Sequence, residues 1–294
     1  MHKRRSYILN RVAIHQVIEQ ELPVIDFRKF FPTLTNEVFE TNRYWLEPNF
    51  LDPATGKIVL RIQSYVLQTP HHNVLIDTCI GNHKPRPTRP FWHLLDSPNY
   101  ENNLASIGIS PPDIDFVMCT HLHIDHVGWN TRLENGRWVP TFPNAAYIMS
   151  ERELSYWQTR YQQEPDACPW IGDSVMPVID AGRSKLVKSG YVLNDLVQLI
   201  PTPGHTIDHF SVKVGKGNEI AIVTGDMLHS PLQALYPDLG MFVDFDSRQA
   251  GETRRQIFEQ YCDTNTLFCT AHFPVQSVGH IRRSGGAFRF VAIQ

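Results

Sequence analysis

The sequence predicts a single mixed αβ domain, and three observations carry that prediction. Strand-like and helix-like segments alternate loosely along the chain. Of its 294 residues, 42% are hydrophobic, enough to enclose one large core. No internal repeat, low-complexity tract or interdomain linker breaks the pattern. Residues 1–294 are therefore expected to form one domain, with residues 1–56 as an N-terminal strand and cap extension.

The elements follow in order. Residues 27–50, rich in Phe, Tyr, Trp and Pro, fit no clean period and suit a cap. From Lys57 to Leu67, inward and outward residues alternate as in a half-buried strand, after the turn sequence Asp52-Pro53-Ala54-Thr55-Gly56. Thr69 to Asn73 then turns the chain into Val74-Leu75-Ile76-Asp77, making a hairpin. Tyr100 to Ile107 reads as a short helix stopped by Gly108 and the Pro111-Pro112 pair. Ile114 to Cys119 is a short apolar run that suits a buried strand. Further strands are expected at 146–149, 196–200, 209–214, 219–224 and 267–271, and helices at 150–161 and 247–262.

Composition excludes several classes of partner. Lys plus Arg total 27 against 30 for Asp plus Glu, with no long run of either sign, so nucleic acid is not expected as a ligand. Met1-His2-Lys3-Arg4-Arg5 imitates the basic end of a signal peptide, but Asn10, Arg11, His15, Gln16 and Glu19 stand where an apolar run is required. No stretch is long and apolar enough to span a bilayer. The five cysteines are odd in number and widely spaced, which suits reduced thiols and a cytoplasmic location.

Chemistry concentrates after the strand that ends near Cys119. Thr120-His121-Leu122-His123-Ile124-Asp125-His126-Val127-Gly128 places four potential ligands in six residues. A His-x-His pair in an extended turn can point two imidazoles at one ion, while Asp125 and His126 face a second as the chain curls. A solvated polar loop is the competing account. Three later residues weigh against it: His205 in Pro203-Gly204-His205, Asp226 in Thr224-Gly225-Asp226, and His272 in Ala271-His272-Phe273. Each follows a strand candidate, and sites in layered αβ folds gather at strand ends.

This set resembles the metallo-β-lactamase superfamily, whose His-x-His-x-Asp-His motif stands here at residues 121–126, and the resemblance spans about residues 57–275. It implies a four-layered αββα sandwich. It also implies two divalent metal ions, zinc first, with manganese, cobalt or iron as alternatives. Carried over by position, His121, His123 and His205 would hold one ion, Asp125, His126 and His272 the other, and Asp226 would bridge them. The reaction implied is opening of a lactone or carboxylic ester by a metal-bridging hydroxide, with Asp125 shuttling a proton to the leaving oxygen.

The sequence departs from acyl-homoserine lactonases three residues after the bridging aspartate, where their tyrosine is replaced by His229. Gly225-Asp226-Met227-Leu228-His229 is similar to the branch containing methyl parathion hydrolase, which widens the expected substrates. His229 is a candidate oxyanion donor or a residue orienting a ligand. Rival readings are a phosphotriesterase, a glyoxalase II-like thioesterase, a mononuclear-iron persulfide dioxygenase and a non-catalytic binding protein. Phe91, Trp92, Trp129, Trp157 and Phe273 are candidates for an apolar pocket wall, with Trp129 and Phe273 foremost as substrate-binding residues and core packing as the competing role. Lys84 to Arg89 is a basic segment that suits either anion recognition or an exposed loop. The expected partner is a small-molecule lactone or ester, without nucleic acid or membrane, and a homodimer is compatible with the sequence.

Overall fold

The computed structural model describes residues 6–9 and 11–293, so the basic segment Met1 to Arg5 lies outside the described residues. The chain divides into two compact units, Met1–Gln20 with Ile62–Tyr191 and Glu21–Arg61 with Val192–Gln294.

A seven-stranded sheet runs in the order Ser6–Leu9, Val12–Asp26, Lys57–Gln68, Asn73–Ile76, Phe116–Met118, Ala146–Ser150 and Ser184–Val187. The expected hairpin is present, with Leu67 opposite Val74. Thr69 closes its turn, its hydroxyl oxygen accepting from the amide of His72 at 2.9 Å. Phe116–Met118 runs parallel between Asn73–Ile76 and Ala146–Ser150. Val117 lies beside Leu75 and Tyr147, and all three are fully buried, as expected for a central strand covered on both faces. Parallel strands carry their loops away from one common edge, the usual place for a site in such a sheet. Asp77 and Thr120–His126 both emerge there. Helix Glu151–Gln163 starts where sequence placed it, because the Ser150 side chain accepts from the Glu153 amide.

The loop after Ile76 and the end of the histidine motif form a tight clamp. The Trp129 amide donates to the Thr78 carbonyl at 2.7 Å, the Gly128 amide to the Cys79 carbonyl at 2.8 Å, and the Thr78 amide to the His126 carbonyl at 2.8 Å. Asp77, Cys79 and Gly81 adopt positive φ of 57°, 50° and 79° to follow this path. A Cβ on Gly128 would stand 1.8 Å from the Ile80 carbonyl oxygen, so only glycine fits.

The basic segment is not an exposed loop at its two leading charges: Lys84 and Arg86 are buried. Arg86 makes a two-pronged ion pair with Asp173 at 2.6 and 2.8 Å, in the π-helical turn Ile171–Val175. Lys84 Nζ donates to Thr131 Oγ1 at 2.6 Å and to the Asp173 carbonyl at 3.2 Å, and lies 3.7 Å from the ring centroid of Trp138. Burial pulls Lys84 down to about 7, the attraction of Asp173 opposing it. Above that value the folded chain leaves Lys84 neutral while the unfolded chain still binds its proton. Folding stability from this residue therefore rises with pH between about 7 and the ordinary lysine value, and below pH 7 the cost of the buried charge is complete. The stability difference between wild type and Lys84→Met, measured by urea unfolding, is expected to drift in favour of wild type from pH 7 to 10, on the order of a few kcal/mol. A difference independent of pH across that window would refute the account.

The second unit holds a six-stranded sheet in the order Val197–Pro201, Phe210–Lys216, Glu219–Val223, Leu267–Cys269, Val278–Ser284 and Ala287–Ala292. Among the described residues, Glu219–Val223 and Leu267–Cys269 pair parallel and the other neighbouring strands of this sheet pair antiparallel. Helix Ser247–Tyr261, capped by Asp246 through the Gln249 amide, buries Ile257 and Phe258 with Ile222, Phe268 and Phe288. Residues 27–50 contribute to a buried hydrophobic core within this unit. Phe27, Phe31, Phe39 and Leu46 pack with Leu232, Leu239 and Met241, around the helix Asn36–Leu46. No helix among the described residues is long and apolar enough to cross a membrane. All five cysteines are free thiols.

Candidate metal centre

In the first unit, one carboxylate organises the histidine motif. Asp77 accepts from the Thr120 amide at 2.7 Å, from the Thr120 hydroxyl at 2.9 Å and from His126 Nδ1 at 2.8 Å. A carboxylate only accepts, so the His126 proton sits on Nδ1 and Nε2 carries the lone pair. Thr120, having donated its hydroxyl proton to Asp77, accepts from His121 Nδ1 at 3.0 Å, which fixes the same tautomer there. The rings of His121 and His123 lie 4.6 Å apart and those of His121 and His126 4.1 Å apart. Glu153 accepts from the Leu122 amide and from Trp157, and Trp170 donates to the Leu122 carbonyl, so the motif is held between two histidines as well. His123 and Asp125 keep partial exposure while His121 and His126 are buried.

In the second unit, three imidazoles converge on Asp226. His205 Nε2 lies 3.3 Å and His229 Nε2 2.9 Å from its Oδ2, and His272 Nε2 lies 2.9 Å from its Oδ1. Here too the far nitrogens are engaged. His205 Nδ1 meets Asp244 Oδ1 at 2.9 Å, and His272 Nδ1 donates to the Arg61 carbonyl at 2.9 Å. The Asp226 amide donates to His209 Nε2 at 3.0 Å, and His209 Nδ1 lies 2.8 Å from the Thr202 hydroxyl. Gly204, at φ 127°, lets the chain turn into His205, because a Cβ there would stand 2.2 Å from the Ala250 amide nitrogen.

Electrostatics separate these imidazoles. Burial disfavours charge on His205, but its bonds to Asp226 and Asp244 outweigh it and raise the group to about 9. Burial also acts first on His229, and with the neighbouring His205 and His272 it lowers that group to about 4 despite Asp226. His229 is thus neutral at pH 7, stacked on His272 at 5.2 Å, with Nδ1 buried and without a hydrogen-bond partner among the described residues. The ligand atoms of Asp226, His229 and His272 lie within 4.8 Å of one another and suit a cation.

Sequence reasoning missed Asp77, Asp244 and His209, which orient the candidate ligands. Asp77 carried a signal, as a lone carboxylate directly after an apolar strand. Asp244, set between Phe242, Val243 and Phe245, carried none. Trp129 is buried, stacked on Tyr100 at 5.1 Å, and Phe273 packs fully buried between Phe50 and Phe290. Trp92 and Trp157 are buried also, and Phe91 is exposed at the surface.

Comparison with known proteins gives a consistent result. The model of the Metallo-beta-lactamase superfamily matches residues 58–272. N-acyl homoserine lactonase of Bacillus cereus is 23% identical over 211 residues, 68% of this chain and 76% of that protein. Among solved structures, the hydrolase AbOPH of the beta lactamase superfamily superposes with a TM-score of 0.82 at 22% identity, covering 100% of this chain and 98% of its own. AidC, described as a dizinc quorum-quenching lactonase in complex with a product, gives a TM-score of 0.78 at 19% identity, covering 99% of this chain and 97% of its own. At these identities the structural likeness establishes the fold.

Proposed function

The chain belongs to the metallo-β-lactamase superfamily, and from that premise we propose that it is a metal-dependent hydrolase that opens a lactone or carboxylic ester. The two units are read as one catalytic domain. His121, His123 and His205 are assigned to one ion, Asp125, His126 and His272 to a second, and Asp226 to both.

The observation that carries this reading is the chemistry of the donor set. His121, His126, His205 and His272 each have Nδ1 committed to Thr120, Asp77, Asp244 or the Arg61 carbonyl, which leaves Nε2 as the donor atom in every case. Such anchoring of the far nitrogen is the usual support of a metal-ligating histidine. Histidine nitrogen and carboxylate oxygen together suit zinc, with manganese, cobalt and iron as alternatives. A divalent ion held there supplies Lewis acidity toward a carbonyl oxygen and toward water.

The remaining tasks fall to the chain. Asp125, partly exposed beside His126, is assigned the transfer of a proton to the leaving alkoxide. His229 is read as orienting Asp226, because its Nε2 is committed to Asp226 Oδ2. Trp129 and Phe273, both buried, are read as backing for the loops that carry His126 and His272. The lactone is preferred because the curated relatives carry the name N-acyl homoserine lactonase.

The test is a pH-indicator assay of metal-loaded protein against lactones, acyl-homoserine lactones, aryl esters, thioesters, phosphotriesters and β-lactams, with metal content measured on the same sample. Turnover of lactones or carboxylic esters by protein carrying two ions is expected. Protein that holds both ions yet turns over phosphotriesters alone would replace the lactone reading.

A further inference from the structure

Glu19 is a buried carboxylate that none of the chemistry above uses. It lies on the strand Val12–Asp26 at 4% exposure, and its acceptors face inward. Oε1 accepts from the indole Nε1 of Trp129 at 2.6 Å and from the Gly81 amide at 3.1 Å, and Oε2 accepts from the Ile80 amide at 2.9 Å. All three partners are N–H groups, which an acceptor-only carboxylate satisfies together. They belong to the two sides of one clamp, Ile80 and Gly81 on the loop after Asp77, and Trp129 on the segment after His126. A few residues back along each side, that clamp grips His126 twice, at its carbonyl through the Thr78 amide and at Nδ1 through Asp77. Glu19 joins the open end.

We propose that Glu19 is a positioning residue of the metal centre, which by tying Ile80, Gly81 and Trp129 together fixes the orientation of Asp125 and His126. The inference rests on the assignment of those two residues as metal ligands. Burying a carboxylate is costly, and burial pushes Glu19 up to about 7 against its three N–H donors. A hydrophobic residue would pack at that place without the cost but would leave Ile80, Gly81 and Trp129 with unpaired buried donors. Loops that must hold ligands to within a fraction of an ångström gain from such a tie.

The experiment is metal titration of the full chain against a competing chelator, with cobalt as a second probe through its visible spectrum. Glu19→Gln keeps the shape but offers one acceptor and turns an amide N–H toward donors. It is expected to weaken one of the two metal-binding steps by about 10–100-fold, to leave the other step unchanged, and to alter the cobalt spectrum. Trp129→Phe removes the indole N–H and keeps the stacking on Tyr100. It should weaken the same step by a smaller factor, and the double variant should fall short of the product of the two effects. A Glu19→Gln protein that melts earlier but binds both ions as wild type does would overturn the inference and leave Glu19 a structural residue. If Glu19→Gln fails to fold, Trp129→Phe decides by the same readout. Wild-type protein that takes up no metal would overturn the proposed function as well, which separates the two failures.

Discussion

Replacing Asp226 by alanine is expected to lower the metal content and to cut turnover by more than the roughly 100-fold that loss of an outer partner costs a metal site. The expectation follows from how much converges on this side chain. Three imidazole Nε2 atoms lie within 3.3 Å of its two oxygens, and its amide is held by His209. In the absence of metal its negative charge also keeps His205 protonated, so alanine leaves a cluster of imidazoles with no shared counter-charge. Asp226→Asn separates shape from charge, since the amide keeps an acceptor oxygen but is a poor ligand. Measured by atomic absorption, both variants should hold fewer ions than wild type. Wild-type stoichiometry in Asp226→Ala would remove this residue from the centre.

Gly128→Ala is expected to cost more than about 3 kcal/mol of folding stability, a size reserved for severe overpacking. The added Cβ would stand 1.8 Å from the Ile80 carbonyl oxygen and 2.0 Å from its carbon. Those atoms belong to backbone, and the backbone is held on both sides, by Glu19 at the Ile80 amide and by Gly128 at the Cys79 carbonyl. No side-chain rotation relieves the contact. The loop must open, taking with it the amide that holds His126. Urea unfolding with an unchanged m-value and a markedly lower midpoint is the expected record. A midpoint equal to wild type would mean that the two loops are not clamped together as described.

The parts of this fold legible in the sequence are those where local pattern and tertiary need agree. The hairpin at 57–76, the buried strand before the histidine motif and the helices beginning at 151 and 247 were expected within a few residues of where they stand, because periodicity and capping residues speak for themselves. The strand Val12–Asp26 was expected only as an unplaced N-terminal strand within residues 1–56, since the buried Glu19 and the half-buried Glu21 that binds Arg61 interrupt the apolar alternation that would give its bounds. Lys84 and Arg86 looked like surface charge for the complementary reason: their partners, Asp173 and Thr131, lie far along the chain. The seven candidate ligands were chosen from one dense motif and three punctuated strand ends. The anchors behind them were not, because Asp77, Asp244 and the Arg61 carbonyl owe their role to folded proximity alone. Comparison by family then gave the class of chemistry, which periodicity does not reach.

Arg61 sets a limit on how the gene can be cut. Its amide donates to the His272 carbonyl at 3.0 Å, and its own carbonyl receives the His272 imidazole. Its guanidinium is in turn held by Glu21 at 2.6 and 2.8 Å and by Ser277 at 3.2 Å. Glu21 and Ser277 fall on opposite sides of the span 58–272 that the family model recognises, as do the aromatic residues 27–50 and the terminal hairpin. The recognised span marks what the chain shares by descent. A clone trimmed to the shared span would lose Glu21 and Ser277, the two side chains that hold the Arg61 guanidinium behind His272.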